Sequence, residues 1–170
     1  MISYLSALGC SIILLLADQY TKYFISTNMA LYDRKEFING LIDITYIQNT
    51  GGAWGIFSGY TWLLLSLTVI VMIICITLLF KFATKSRLLF WAISLVMAGG
   101  VGNMIDRIFR GGRVVDFLHF EFWPTFPVFN IADIGVVIGA GLLILYFIID
   151  TINDYKKIKA QKKELTNEQD

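Results

Sequence analysis

Asp116 and Asp133 are the residues of this 170-residue chain whose type and placement best suit chemistry. Both stand at the edges of apolar segments, in Val114-Val115-Asp116-Phe117 and Phe129-Asn130-Ile131-Ala132-Asp133. An ionisable side chain at membrane depth costs roughly 2.5–3.5 kcal/mol on insertion scales, so it is a functional candidate by default. Two carboxylates held close together cannot both ionise easily; they share a proton, and such a pair can activate water. Taken singly, each has a plainer reading. Asp133, with Asn130 at i−3 and Phe126-Pro127 upstream, suits a helix entry, where the dipole favours a carboxylate by roughly 0.3–1 kcal/mol. Asp116 alone is a loop acid.

Other polar residues stand where apolar ones are expected. Asp18 and Lys22 are an i,i+4 pair with the acid on the N-terminal side, the favourable order on a helix. They are either a snorkelling pair that ends a span or a pair that orients the following loop. Gln48-Asn49-Thr50-Gly51-Gly52-Ala53-Trp54-Gly55 is a tight loop, with glycines for close backbone approach, Asn49 for hydrogen bonds and Trp54 suited to the headgroup level. In Ala98-Gly99-Gly100-Val101-Gly102-Asn103-Met104-Ile105-Asp106-Arg107 the small residues allow another helix to pack closely. Asn103 lies at i,i+3 from Asp106 and i,i+4 from Arg107, so these polar groups face protein or water, as a structural network or as part of a site. Gly111-Gly112 then breaks the helix before Asp116. His119, the single histidine, invites an Asp–His reading, but no suitably placed serine or cysteine nucleophile accompanies it.

The elements that must position these groups are membrane spans. The chain is 56% hydrophobic and 16% charged, against roughly 45–50% and 25% for soluble domains. A net charge of +1 leaves no basic face for nucleic acid. Cys10 and Cys75 lie in apolar runs without metal or redox spacing, so no metal or cofactor is expected. Four stretches approach the roughly 20 apolar residues needed to cross a bilayer: about residues 2–25, 61–82, 88–108 and 128–149. Lys81, Lys85 and Arg87 in one connection, and Lys156, Lys157, Lys159, Lys162 and Lys163 in the tail, put that connection and both termini in the cytoplasm. The loops near 30–60 and 110–127 then face outward. Residues 1–155 read as one membrane domain and 156–170 as a polar tail, a frayed helix without catalytic content. Within the first outer loop, Asn39-Gly40 separates β-branched and aromatic residues, a hairpin signal that puts Ile42, Ile44 and Tyr46 on one face. The resulting small sheet either caps the helices or offers an edge to an extended peptide.

Read in order, these segments resemble the lipoprotein signal peptidase family (signal peptidase II), aspartyl peptidases of the bacterial inner membrane. The resemblance rests on Asp18-Gln19-Tyr20-Thr21-Lys22, Gln48 to Trp54, Gly99 to Arg107, Val114 to Phe117 and Phe129 to Asp133. It implies a membrane all-α fold: a bundle of four transmembrane helices with a small extracytoplasmic β-cradle and a mobile periplasmic helix, matching the hairpin region and the 110–127 loop. It implies an endopeptidase that removes the signal peptide of prolipoproteins just before a diacylglyceryl-modified cysteine. The catalytic aspartates of the family fall on Asp116 and Asp133. Its supporting positions fall on Asp18, Lys22, Asn49, Gly51, Asn103, Asp106, Arg107 and Asn130. Two departures stand out: Gly52 replaces the usual alanine and could loosen the substrate loop, and Ile134 replaces a small residue.

The expected mechanism has one ionised aspartate taking a proton from water while the other, protonated, donates to the scissile carbonyl oxygen. Asn103, Asp106, Arg107 and Asn130 orient the pair, and Asn49 with the Gly51–Gly52 loop holds substrate backbone. The substrate's lipid chains lie against the bundle within the bilayer, and the enzyme is read as a monomer. Two other classes compete. A proton-coupled transporter or channel would use Asp106, Arg107, Asp116 and Asp133 as an ion path, but the halves show no inverted repeat and no helix is broken at the midplane. An assembly factor would use the polar residues only for packing.

Overall fold

The computed structural model describes residues 2–82 and 86–167. Lys85 of the expected basic turn and the last three residues of the tail lie outside them. Among the described residues, four helices are long and apolar enough to cross a membrane. They are α1 (Ile2–Asn28), α2 (Thr61–Phe82), α3 (Arg87–Phe109) and α4 (Ile131–Asn167). α3 is the central one. It packs on α1, α2 and α4, and half of its most apolar stretch is buried, far more than in the other spans. Most large side chains of α2 are exposed instead, as befits an apolar helix whose solvent is lipid.

Small residues set how closely the helices meet. A Cβ on Gly99 would fall well inside contact with the Ala132 carbonyl oxygen of α4, and one on Gly139 would sit 2.7 Å from the Ala92 carbonyl oxygen of α3. Gly100 takes up Met72 of α2, and Gly102 takes up Asp18 of α1. The glycine run in α3 thus meets three different helices, and in lipid, where apolar burial drives little, such backbone contact is a main source of association. Away from the polar residues the bundle closes with Cys75, Leu89, Ile93 and Val96, covered by Leu143 and Tyr146.

A three-stranded antiparallel sheet of order β1-β2-β3 stands at the other end: β1 (Arg34–Ile38), β2 (Ile42–Asn49) and β3 (Val114–Phe120). The hairpin turns at Asn39-Gly40, with Gly40 at φ 73°, a left-handed conformation that glycine adopts without a Cβ clash. Ile44 and Tyr46 do share a face, packing with Ile25, Val115 and Phe117 where α1 ends. Asp43, which strand alternation puts on the other face from Ile42 and Ile44, is also buried and is ion-paired to Arg34. An irregularity in the β2–β3 pairing between Ile44 and Ile47 interrupts the alternation there.

Two expectations need correction. The 110–127 segment holds no helix: after Gly111 (φ 63°) and Gly112 (φ 85°) turn the chain, it forms β3 and then turns. Between β2 and α2 the chain instead makes a short 3₁₀ turn at Ala53–Gly55. α4 starts at Ile131 rather than Val128, because Phe129 is engaged as an extended bridge with Leu118, its carbonyl accepting from Leu118 N at 2.8 Å.

The α3–α4 seam gives a direct test. Gly139→Ala should lower the thermal unfolding midpoint in detergent, at an expected cost of about 1–3 kcal/mol for overpacking. Gly9→Ala, where a new Cβ meets nothing within 4 Å, should leave the midpoint unchanged or raise it slightly.

Candidate active site

The site begins with a buried lysine. Lys22 and Asp18 are fully buried between α1, α3 and α4, with Lys22 Nζ 2.9 Å from Asp18 Oδ2 and 3.4 Å from Asp106 Oδ2. Snorkelling is therefore excluded for this pair. Nζ also donates to Asn103 Oδ1 at 2.8 Å, which occupies the three donors of an ammonium. Each acid then reaches a different element. Asp18 Oδ1 accepts from Ala132 N in the first turn of α4 at 2.8 Å, and Asp106 Oδ2 accepts from Val115 N of β3 at 2.9 Å. Asp133 and Asp116 each follow immediately after one of those two backbone amides.

Fixed polarities then propagate through three amides. Because Asn103 Oδ1 faces the Lys22 ammonium, its Nδ2 must point the other way, and it donates to Asp133 Oδ1 at 2.7 Å. Asn130 Oδ1 accepts from Asp133 N at 2.9 Å, so its Nδ2 donates to Asp116 Oδ1 at 2.6 Å and to Asn103 Oδ1 at 3.1 Å. Asn49 Oδ1 accepts from Gly51 N at 2.8 Å, leaving Nδ2 to donate to Asp116 Oδ2 at 2.9 Å. Asp133 Oδ2 receives Asn130 N at 3.0 Å. All four oxygens of the two aspartates thus have a donor, and Asn130 touches both carboxylates.

Gly51 is required where it stands, since a Cβ would lie 2.8 Å from the Gly55 carbonyl carbon and oxygen. Gly52 is not: a Cβ there would meet its nearest atom, the Ile56 carbonyl oxygen, at 3.6 Å, so alanine would fit and the glycine forgoes only an ordinary van der Waals contact. Arg107 reaches across from α3 to the Gly51 carbonyl at 2.9 Å, and its Nε is buried without a partner. His119 stands on β3 opposite Asp43 and does not line the groove that holds the aspartates.

That groove has a volume of about 510 Å³. Asp116, Asp133, Asn49 and Arg107 line its polar end, Trp54, Phe126 and Phe129 form an aromatic wall, and Val136, Val137 and Ile138 continue it along α4. Val137 is 70% exposed and Ile138 50%, so the groove opens sideways toward lipid. Burial pushes the Asp116 carboxyl up to about 7, and the neighbouring Asp133 adds to the rise; the Asn49 and Asn130 donors and the Lys22 charge pull it partly back.

All ten sequence-singled residues gather in this one network. Arg110 was missed although it lies at i+4 from Asp106, the spacing of a helical ion pair; its Nε is 3.1 Å from Asp106 Oδ1. Gln19, whose Nε2 donates to Asp18 and to the Gly102 carbonyl, was also missed. So was the aromatic wall, because aromatic residues are frequent throughout the chain.

Comparison with known proteins points to one family. The family model for signal peptidase (SPase) II matches residues 10–149. Among curated proteins, a lipoprotein signal peptidase of Enterococcus faecalis is 41% identical over 133 residues, covering 78% of this chain and 81% of that one. One of Staphylococcus aureus is 40% identical over 148 residues, covering 86% and 90%. A solved bacterial membrane enzyme, determined by the in meso method at 2.3 Å resolution, superposes with a TM-score of 0.82 at 38% identity, covering 87% of this chain and 90% of its own.

Two outcomes follow from the network. Lys22→Met leaves Asp18 and Asp106 buried around a missing cation, so unfolding of the purified protein should become easier by about 3–5 kcal/mol. The raised Asp116 pKa makes the folded state hold a proton that the unfolded chain has released between pH about 4 and 7. Its contribution to stability is therefore complete below pH about 4 and is lost as pH rises through about 7. Melting curves across that range should show a smaller decline for Asp116→Asn than for the unsubstituted protein.

Proposed function

The chain belongs to the signal peptidase II family, and from that premise we propose that it is an aspartyl endopeptidase that cleaves the signal peptide from diacylglyceryl-modified prolipoproteins, just before the lipidated cysteine, with Asp116 and Asp133 as its catalytic pair. The observation that carries this reading is the pair of carboxylates at the polar end of one groove, joined through Asn130, with each oxygen held by a directed N–H.

Water bound between the carboxylates loses a proton to the ionised one and attacks the scissile carbonyl carbon. The other carboxyl, protonated, donates to the carbonyl oxygen, giving a gem-diol. The proton first taken then goes to the departing amine as the C–N bond breaks, while the other carboxylate takes a proton back from a gem-diol hydroxyl as the product carboxyl forms, and the pair returns to its singly protonated state. The proton belongs to the pair, so neither aspartate is assigned one role. Asn103, Asn130 and Asn49 hold the carboxylates in place. Asp18, Lys22 and Asp106 position the two elements that carry them, and Arg107 with the Gly51 loop holds substrate backbone. The lateral opening along Val137 and Ile138 suits a substrate whose acyl chains stay in the bilayer.

The positive-inside bias supports cytoplasmic termini and a site at the outer face of the cytoplasmic membrane. Against the transporter reading, the half of the bundle opposite the site is closed by the apolar cluster around Leu89 and Ile93, and the family relatives are peptidases.

With purified protein and a lipidated precursor peptide, Asp116→Asn and Asp133→Asn should each lower turnover by at least the 10²–10⁴-fold typical of lost acid–base catalysis, with the fold retained. Near-normal turnover in either variant would falsify the assignment. The wild-type kcat/KM should fall with rising pH above about 7, the region to which Asp116 is raised beside Asp133, as the pair loses the shared proton that catalysis needs; a profile flat to pH 9 would count against a shared proton.

A further inference from the structure

Side chains alternate along β2 and β3, so while Asn49 and Asp116 face the groove, Gln48 and Val115 face away from it. On that side Tyr46, Gln48, Val115, Arg110 and Arg113 line a second recess of about 70 Å³, ample when a single water needs about 10–15 Å³ of such space. We propose that this recess binds the phosphate of an anionic membrane lipid headgroup, separate from the peptidase groove.

Charge is the first argument. Two guanidinium groups share one small recess. Arg110 gives Nε to Asp106 and Nη1 to Ser26 Oγ, which leaves Nη2 without a partner among the described residues. Arg113 donates to Gln48 Oε1 at 2.8 Å and has no acidic partner among the described residues. Asp106, the carboxylate beside the recess, is already held by Lys22 and Arg110. Cations are also favoured at helix C-termini, but two of the terminal carbonyls of α3 already have backbone donors, Arg110 N to Asp106 O and Gly112 N to Arg107 O. The free guanidinium donors therefore suit an added anion, and their planar geometry matches phosphate oxygens.

Position is the second argument, and it selects a lipid over a free anion. Arg110 caps α3, and Ser26 lies in the last turn of α1, so the recess sits where these two spans end. Within a turn of it toward the bundle, Tyr23 and Phe24 of α1 and Ile108 and Phe109 of α3 are all exposed, an apolar surface for acyl chains. The bound phosphate would brace the strand pair that carries Asp116, since Gln48 is in register with Val115 and Val115 N is held by Asp106.

The test uses the full-length protein, purified in an uncharged detergent and titrated with short-chain phosphatidylglycerol, with thermal shift and native mass spectrometry as readouts. Saturable stabilisation is expected, with one retained lipid. Arg113→Gln should weaken the apparent affinity about tenfold, the scale of a charge-assisted hydrogen bond. Lys35→Gln, an exposed cation on β1 outside the recess, should leave it unchanged. The proposal is overturned if phosphatidylglycerol gives no saturable shift, or if Arg113→Gln binds like the unsubstituted protein. It is overturned equally if phosphatidylcholine matches phosphatidylglycerol. Inorganic phosphate matching the lipid would assign the recess to a soluble anion and overturn the lipid reading.

Discussion

Everything at the polar end of this bundle depends on one buried ammonium. Lys22 has no exposure to solvent, and burying a lone charge there would cost several kcal/mol. It is tolerable because Asp18, Asp106 and Asn103 surround it, and because both acids have further donors to share. The geometry that neutralises the charge also fixes the architecture. Asp18 comes from α1 and holds the start of α4, while Asp106 comes from α3 and holds β3. The ion cluster therefore works as a joint between two spans, a third helix and a strand, and Asp116 and Asp133 each stand one residue beyond a joint.

The second consequence is directional. An asparagine amide can flip, and a flipped amide would present an oxygen to a carboxylate. Here each of the three is held by a neighbour whose polarity cannot change: an ammonium for Asn103, and backbone N–H groups for Asn130 and Asn49. The donors aimed at Asp116 and Asp133 are thus fixed before substrate arrives, which lowers the reorganisation needed during reaction. Burial opposes this by favouring the protonated acid. The balance leaves Asp116 near 7, where a carboxyl can either give or accept a proton at neutral pH.

Much of this was legible in the sequence because intramembrane polar residues are costly and therefore informative. Asp18 with Lys22, and Asn103 with Asp106 and Arg107, declared themselves by type and helical spacing, and the glycines of α3 announced close packing. What the spacing could not say was which partners met. Lys22 read equally well as a snorkelling end to its span, and only the distance to Asp106, 84 residues away in sequence, decides otherwise. The 110–127 segment was misread because β3 gets its order from pairing with β2, a non-local contact that leaves little local pattern. Val128 and Phe129 were assigned to α4 on their apolarity, which a helix and a buried bridge share. Arg110 carried a usable signal, its i+4 relation to Asp106, that the short run before Gly111-Gly112 obscured.

The location of the site follows from the solvent. Within the hydrocarbon region every backbone amide and carbonyl must find a partner, so irregular chain is confined to places where protein supplies one. A peptide bond to be cleaved must be extended and accessible, which a spanning helix is not. The polar end of this bundle meets both demands at the boundary. Gly111 and Gly112 end α3, β3 pairs with β2, and the amides freed at Val115 and Ala132 are taken up by Asp106 and Asp18. A helix-only bundle could bring two aspartates together but would leave no extended edge beside them. A sheet alone would offer the edge without a lipid-facing wall. Joining the two at a buried lysine lets one groove hold carboxylates at one end and run along an exposed apolar helix face at the other.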